Sequence, residues 1–246
     1  MDRARHGDDP LAPLLDLPGV AAGVQEARDA VDAMLANRVL RRRSADVSAE
    51  SALRGAWASA VLSGSTASLA QIRAGSDDPV VQGALRAYAE LGQLAEVWRR
   101  APRQALARLH ALAAADLVPV DALGRPSAGA GRLDTLAGVL TTTTVPAVVV
   151  AGVVHGEVLS LDTFAPVSGI VARAAVRLTL VARGLDPKSL VVVEAGHRDL
   201  GDYDIALEAY RSGTPDGIAV WLLHCARAVA VGAKETVAIC EALRRG

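Results

Sequence analysis

The feature that most constrains the fold is a stripe of apolar residues at helical spacing that follows Asp78. Asp78 and Pro79 form a helix start, because an Asp side chain caps free N–H groups and proline fits the first helical turn. The apolar side chains then recur every three or four residues, as they do on one face of a helix: Val81, Leu85, Tyr88, Leu91, Ala95 and Trp98. Such a stripe is buried against other helices.

Helical spacing recurs along most of the chain. It starts at Pro18 and again near Ser48, where the second helix ends at Gly64, a residue suited to a helix C-terminus. Further helices are predicted at about 69–75, after Pro102, and at 132–141, 146–160, 169–184, 203–210, 215–231 and 234–243. Strand-type residues cluster only at 190–193, where we expect an extended connector.

Residues 117–132 are rich in Gly and Pro and have no periodicity, which predicts a loop. The alternative is that its Val-Pro-Val segment forms one strand of a small hairpin. The predicted fold class is therefore all-α, with at most a small β-hairpin. The chain of 246 residues is long enough for a full core, and we expect one helical domain over 17–246. Residues 1–16 are polar and contain Pro10 and Pro13, so we expect them to be disordered.

Composition and charge narrow the function classes. A net charge of −1 provides no long-range field for nucleic acid or an anionic membrane. The most hydrophobic run, 135–161, is interrupted by threonines, Pro146, His155 and Glu157, and so falls short of a membrane span. Cys225 and Cys240 lack CxxC spacing, so two reduced thiols are expected. We predict a cytoplasmic protein without nucleic-acid or membrane partners, and its Ala, Val and Arg excess is typical of high-GC bacteria.

The candidate site lies where a short loop enters an apolar helix. Pro166 discourages helix before it, and the helix begins near Gly169. The first N–H groups of that helix lack intrahelical partners and the helix dipole is positive there, so Ser168 and Gly169 could hold a phosphate. Arg173 lies one turn further on, and its guanidinium either reaches the same anion or forms a salt bridge with Glu157 or Asp162.

This stretch resembles the Fic (filamentation induced by cAMP) signature HPFx(D/E)GNGRxxR, whose bearers mostly transfer AMP from ATP to a protein hydroxyl. Phe164, Gly169 and Arg173 match the pattern. The departures include every reactive position: Asp162 for the catalytic His, Pro166 for the magnesium-binding acid, Val167 for Gly, Ser168 for Asn and Ile170 for the first Arg.

A second segment is similar to the self-inhibitory helix of many Fic proteins, (S/T)xxxE(G/N). Ser59 and Gly64 fit that pattern, and Ser63 replaces the inhibitory Glu. The resemblance spans roughly residues 48–240 and implies a Fic-like helical bundle. Because base, metal ligand, phosphate-binding Arg and inhibitory Glu are all replaced, it implies a degenerate, non-catalytic binding or regulatory protein without cofactor.

The alternative is a protein adenylyltransferase, or another phosphoester transferase with an altered mechanism, using ATP and Mg with Asp162 as base. Otherwise Asp162 is an ordinary loop or capping residue. The resemblance also implies an unidentified protein partner and the possibility of a homodimer. No metal-ligand spacing occurs: His155 and Glu157 point to different faces of their helix, and His197 and His224 could meet only through the fold. We therefore predict no metal site.

Overall fold

The structure is a computed structural model that describes residues 9–245. In that range the chain is helical, without a β-strand, and residues Ala12–Asp16 and Val120–Ala122 form single 3-10 turns. The α-helices are α1 Val20–Leu35, α2 Leu40–Val61, α3 Leu69–Arg73, α4 Pro79–Ala89, α5 Leu91–Arg100, α6 Pro102–Ala113, α7 Ala130–Thr142, α8 Ala147–Ser160, α9 Ser168–Ala182, α10 Val193–Leu200, α11 Tyr203–Arg211 and α12 Pro215–Arg245. The predicted all-α class is confirmed.

Local capping explains several helix starts. The Asp78 carboxylate accepts a hydrogen bond of 2.8 Å from the Val80 N–H, and Pro79 occupies the first helical position of α4. At α3, the side chains of Ser68 and Gln71 form a reciprocal capping box. Because these capping interactions act within one helical turn, such helix starts can be predicted from the sequence.

Helix α9 is the centre of the bundle, and it packs against α2, α4, α5, α6, α8 and α10. Its side chains are buried from Ile170 to Leu180 on every face. Helix α8 is almost as deeply buried and lies along α9. The candidate motif therefore lies on the entry to the innermost helix, and its side chains face protein on most sides.

Helix α12 corrects the prediction of two helices at 215–231 and 234–243, because it runs without a break to Arg245. Gly232, in the middle of the helix, lies against another backbone: a Cβ there would be 2.6 Å from the Val192 carbonyl oxygen. Helix α10 was missed because only eight residues carry its pattern, and the α4 stripe is divided into two helices at Glu90.

Residues 190–192, in the connector before α10, belong to no helix or strand, whereas Val193, the last residue of the predicted run, is the first residue of α10. The buried Asp186 carboxylate accepts hydrogen bonds from the N–H groups of Leu190 and Val191, at 2.9 and 2.8 Å. A side chain thus satisfies the backbone that a neighbouring strand would satisfy in a sheet.

Two loop predictions are corrected. Residues 9–16 are ordered: Asp9 accepts hydrogen bonds from Thr143 and Thr144, and a 3-10 turn follows it. The prediction of disorder for residues 1–8 lies outside the described residues. In the 117–132 loop, Val120 begins a 3-10 turn, so the loop interpretation holds over the hairpin.

By length and composition, α12 would be able to cross a membrane. Its apolar face is instead packed against α1, α8, α10 and α11. The α12 hydrophobicity is accounted for by this burial.

Candidate functional site

The loop before α9 is built from backbone and side-chain hydrogen bonds. Asp162 adopts a left-handed conformation, with φ 44°, and its side chain is exposed. The Ser127 hydroxyl donates to the carbonyl oxygens of Asp162 and Thr163, both at 3.0 Å. The Ser168 hydroxyl accepts from the Phe164 N–H at 2.9 Å, and the Phe164 ring is buried. The Ser168 side chain therefore closes the loop from within.

Arg173 is the most extensively bonded side chain of the candidate site, and only 2% of its surface is exposed. Its Nε donates to Ser59 Oγ at 2.9 Å and its Nη2 to the Ser59 carbonyl oxygen at 2.8 Å. Nη2 also donates to Ser63 Oγ at 2.6 Å, and Nη1 donates to the Tyr203 hydroxyl at 3.2 Å. The guanidinium thus joins α9 to α2 and α11.

Gly169 makes room for this arrangement. A Cβ at Gly169 would lie 2.9 Å from Arg173 Nη2 and 3.0 Å from Nη1, closer than side chains normally approach. The Arg173 side chain therefore folds back along the helix over Gly169. A Cβ at Gly169 would therefore have to displace a guanidinium that is held by four hydrogen bonds.

The structure brings four of the predicted site residues together: Ser59, Ser63, Gly169 and Arg173. Gly64 follows Ser63 at the end of α2, with φ 95°, and is exposed. Asp162 does not join them, because among the described residues its carboxylate makes no hydrogen bond or ion pair with Arg173. Asp162 lies in the loop before α9, and the N-cap residue of α9 is Val167.

The predicted salt-bridge alternatives for Arg173 do not form. Glu157 instead accepts from Arg132 Nη2 at 2.9 Å and from the Tyr210 hydroxyl at 2.7 Å. The guanidinium of Arg173 is hydrogen-bonded to neutral oxygens, and within the described range no carboxylate lies within 4 Å of it.

Tyr203 and His155 belong to the same cluster and were not predicted as such. The Tyr203 hydroxyl lies 2.7 Å from His155 Nε2, and both side chains are buried. His155 is therefore a hydrogen-bonded core residue, as buried polar side chains usually are. His197 and His224, which sequence alone left apart, meet at 2.9 Å. Only the packing of α8, α10, α11 and α12 shows this convergence.

A second buried arginine crosses the same helices. Arg177 lies 3.8 Å from Glu194, and both side chains are 1% exposed. It also donates to the Ser51 hydroxyl at 2.6 Å and to the Ser189 carbonyl oxygen at 2.6 Å. Glu194 accepts from the Tyr88 hydroxyl at 2.8 Å. Two arginines four positions apart, Arg173 and Arg177, in an otherwise largely apolar helix were the available signal for this network.

Burial controls the ionisation of these groups. It lowers the pKa of His155 and His197 well below the usual histidine value, and the Arg173 cation lowers both further. Burial raises the pKa of Tyr203, although the Arg173 charge and hydrogen bond oppose this shift. The histidines are therefore neutral near neutral pH, and the tyrosine keeps its proton.

Metal ligands are not assembled here. Among residues 9–245, no group of three His, Cys, Asp or Glu side chains is arranged to hold a metal ion. Pro166, at the position where the Fic signature has its magnesium-binding acid, is exposed and carries no oxygen ligand in its side chain. Cys225 and Cys240 are free and buried.

Comparison with known proteins identifies the architecture. The crystal structure of a Fic family protein from Desulfovibrio desulfuricans G20 superposes with a TM-score of 0.72, covering 90% of this chain and 75% of that one, at 19% identity. The chain has a Fic-like fold. No protein-family model and no curated protein sequence matches it significantly. The resemblance to Fic proteins that the motif positions suggested is therefore confirmed for the fold. A sequence identity of 19% does not extend this conclusion to an activity.

Proposed function

We propose that this Fic-fold protein has a degenerate motif and acts as a non-catalytic binding or regulatory protein. The observation that carries the proposal is the state of Arg173. Four N–H groups of its guanidinium already donate hydrogen bonds to Ser59, Ser63 and Tyr203. Because a guanidinium has five N–H donors, only one remains, and a phosphate bound by two parallel hydrogen bonds would have to displace at least one internal acceptor.

The neighbouring positions support the same conclusion. Ile170 is fully buried and apolar, so the place of the signature's first Arg belongs to the core. Ser168 uses its hydroxyl to close the loop on Phe164. Pro166 supplies no magnesium ligand, and an anionic Asp162 beside an unneutralised triphosphate would repel it.

The direct test is AMP transfer by the whole chain. The purified protein is incubated with labelled ATP, magnesium and bacterial cell extract, and labelled proteins are separated on a gel. We expect no label above that of a sample without the protein. Labelling that disappears in Asp162→Ala would show instead that Asp162 is a working base and that the motif is active.

Nucleotide binding is tested separately. Ligands that bind only the folded state raise the melting temperature, by an amount set by the ratio of ligand concentration to dissociation constant. We expect no shift with ATP, ADP or AMP at millimolar concentration, with or without magnesium. A shift that Ser63→Ala preserves and Arg173→Gln abolishes would favour the alternative, a phosphoester transferase that uses the α9 N-terminus and Arg173.

A protein partner, a homodimer and a cytoplasmic location remain part of this proposal. We expect a partner to bind at the surface of the protein, because the guanidinium of Arg173 is hydrogen-bonded to internal groups. Sedimentation of the purified protein over a hundredfold concentration range distinguishes a homodimer from a monomer.

A further inference from the structure

Three histidines form an unexpected line through the core between α8 and α12. His155 lies edge-on to His197, with ring centroids 4.7 Å apart, and His197 stacks on His224 at 5.1 Å. All three side chains are at most 1% exposed. At one end of the line, Tyr203 connects His155 to Arg173. At the other end, His224 contacts Asp202 on the surface, and Asp202 also accepts a hydrogen bond from Arg227.

The proton positions follow from the two ends of this line. Asp202 can only accept, so His224 Nδ1, at 2.7 Å, carries a hydrogen. Because burial keeps His224 neutral, its Nε2 is an acceptor and receives the hydrogen of His197 Nδ1 at 2.9 Å. The remaining nitrogen of neutral His197, Nε2, is consequently an acceptor.

At the other end, Arg173 can only donate, so the Tyr203 oxygen accepts from it. The one hydroxyl hydrogen of Tyr203 is then free to be donated to His155 Nε2 at 2.7 Å. Neutral His155 must therefore carry its hydrogen on Nδ1, where it is a donor.

The two assignments leave one unused donor on His155 and one unused acceptor on His197, whose ring centroids are 4.7 Å apart. Among the described residues, His155 Nδ1 and His197 Nε2 are buried without a hydrogen-bond partner. Both histidines line a cavity of about 10 Å³, whose other walls are apolar side chains and Cys225. That volume is at the lower limit of roughly 10–15 Å³ that one water molecule requires, and a buried water needs at least two polar partners.

We propose that a single buried water molecule binds between His155 Nδ1 and His197 Nε2. It accepts a hydrogen bond from the first and donates one to the second. The result is a chain in which every hydrogen points the same way, from the Arg173 cation to the Asp202 carboxylate. This chain couples the motif arginine, which has no nearby carboxylate among the described residues, to an anion at the surface.

A crystal structure of the whole chain at atomic resolution tests the water itself. We expect one well-ordered density peak within hydrogen-bond distance of both ring nitrogens, with no third ligand. Density that is absent, or rings that have rotated into a direct His155–His197 hydrogen bond, would overturn the proposal. A peak with the anomalous signal of a metal would also overturn it.

Long-range 15N–1H correlation spectra test the direction of the chain. We expect all three histidines to be neutral and protonated at Nδ1. Asp202→Ala removes the final acceptor and should shift the 15N signals of His224, His197 and His155 together. The matched control Asp199→Ala, which removes another surface carboxylate paired with an arginine, should leave all three unchanged.

A shift confined to His224 in Asp202→Ala would show that the chain is interrupted before His155, and would contradict the bridging water. Asp202→Asn guards against a folding defect, since its amide oxygen can still accept from His224. We expect Asp202→Asn to retain the three Nδ1 protonation states.

Discussion

Arg173 donates a hydrogen bond of 2.6 Å to Ser63, the residue that stands where the related inhibitory segment has its Glu. A neutral hydroxyl thus faces the motif arginine where a carboxylate is usual in that pattern. Together with Ser59, it binds a buried cation with neutral oxygens. The contact joins the end of α2 to α9, so this pair of segments has a structural role whatever its chemistry.

Arg173→Gln should destabilise the protein markedly. The substitution leaves buried acceptors on Ser59, Ser63 and Tyr203 with too few donors, at a cost of about 3 kcal/mol. We expect a fall in melting temperature of about 6–12 °C, measured by calorimetry. Arg227→Gln on the surface is the control and should change it by little. Equal effects of the two substitutions would mean that the internal bonds of Arg173 contribute nothing.

Ile170→Arg, which introduces an arginine where the Fic signature has its first one, should prevent stable folding. The Ile170 side chain is fully buried, and an unpaired cation there would cost more than about 4 kcal/mol. Ile170→Val removes one methylene and should cost only about 1 kcal/mol. Urea unfolding measures both. A folded, soluble Ile170→Arg protein would show that the α9 entry can open to admit a charged side chain.

Two glycines predict opposite effects of the same added methyl group. At Gly196 a Cβ would lie 2.2 Å from the Ala228 carbonyl oxygen, so Gly196→Ala must separate α10 from α12. At Gly138, on α7, it would meet nothing within 4 Å, and alanine is the better helix former. We expect a loss of about 2 kcal/mol or more for Gly196→Ala and a gain of about 0.5–1 kcal/mol for Gly138→Ala. Paired urea midpoints decide this, and a gain at both sites would refute the close helix contact.

Replacing Glu194, one partner of the buried Arg177–Glu194 pair, should lower the free energy of unfolding more than replacing Tyr88, which donates a hydrogen bond to Glu194. Glu194→Gln leaves the Arg177 cation buried without a carboxylate, at about 3–5 kcal/mol. Tyr88→Phe removes one hydrogen bond to Glu194, at about 1–3 kcal/mol. Chemical unfolding of both variants and of the double variant should reveal a coupling energy. Strict additivity would argue against a shared network.

Stability should fall as the pH drops below about 6.5. Burial is the main cause that lowers the pKa of His155 and of His197; for His155 the Arg173 cation comes next, and for His197 the His155 and His224 rings come before it. His155 also faces Trp221, and His197 faces Tyr203 and His224. Between the unfolded and folded pKa values the unfolded chain binds protons that the folded chain excludes, so unfolding becomes easier by up to about 1.4 kcal/mol per pH unit for each histidine. Above pH 7 this contribution is fully present.

Urea midpoints between pH 7.5 and 5 measure that dependence. His155→Gln should lose the share of one histidine and so show a shallower slope than the unaltered protein. A midpoint that stays constant over this range would show that the buried histidines take up protons in the folded state.

Much of the fold could be predicted from local chemistry. Asp78 with Pro79 marked a helix start because a cap and a first-turn proline act within one helical turn. The apolar run at 169–184 predicted helix α9, and Phe164, Gly169 and Arg173, together with Ser59 and Gly64 in the second segment, suggested the Fic-like architecture. The same local rules failed at α10, whose eight residues are too few to show a helical pattern. They also failed at α12, where Gly232 suggests the end of a helix but instead lies within it, against the backbone of Val192.

The sequence by itself determined that this chain is helical, that its motif lies at the entry to an apolar helix, and that the reactive residue types of that motif are replaced. Only the tertiary structure decided what the remaining groups do. Arg173 is turned inward to Ser59 and Ser63, Asp162 faces solvent, and His197 meets His224 across 27 residues of sequence. The physical reason is range: helix propensity and capping act within a few residues, whereas the partners of a buried polar group are set by how distant helices pack.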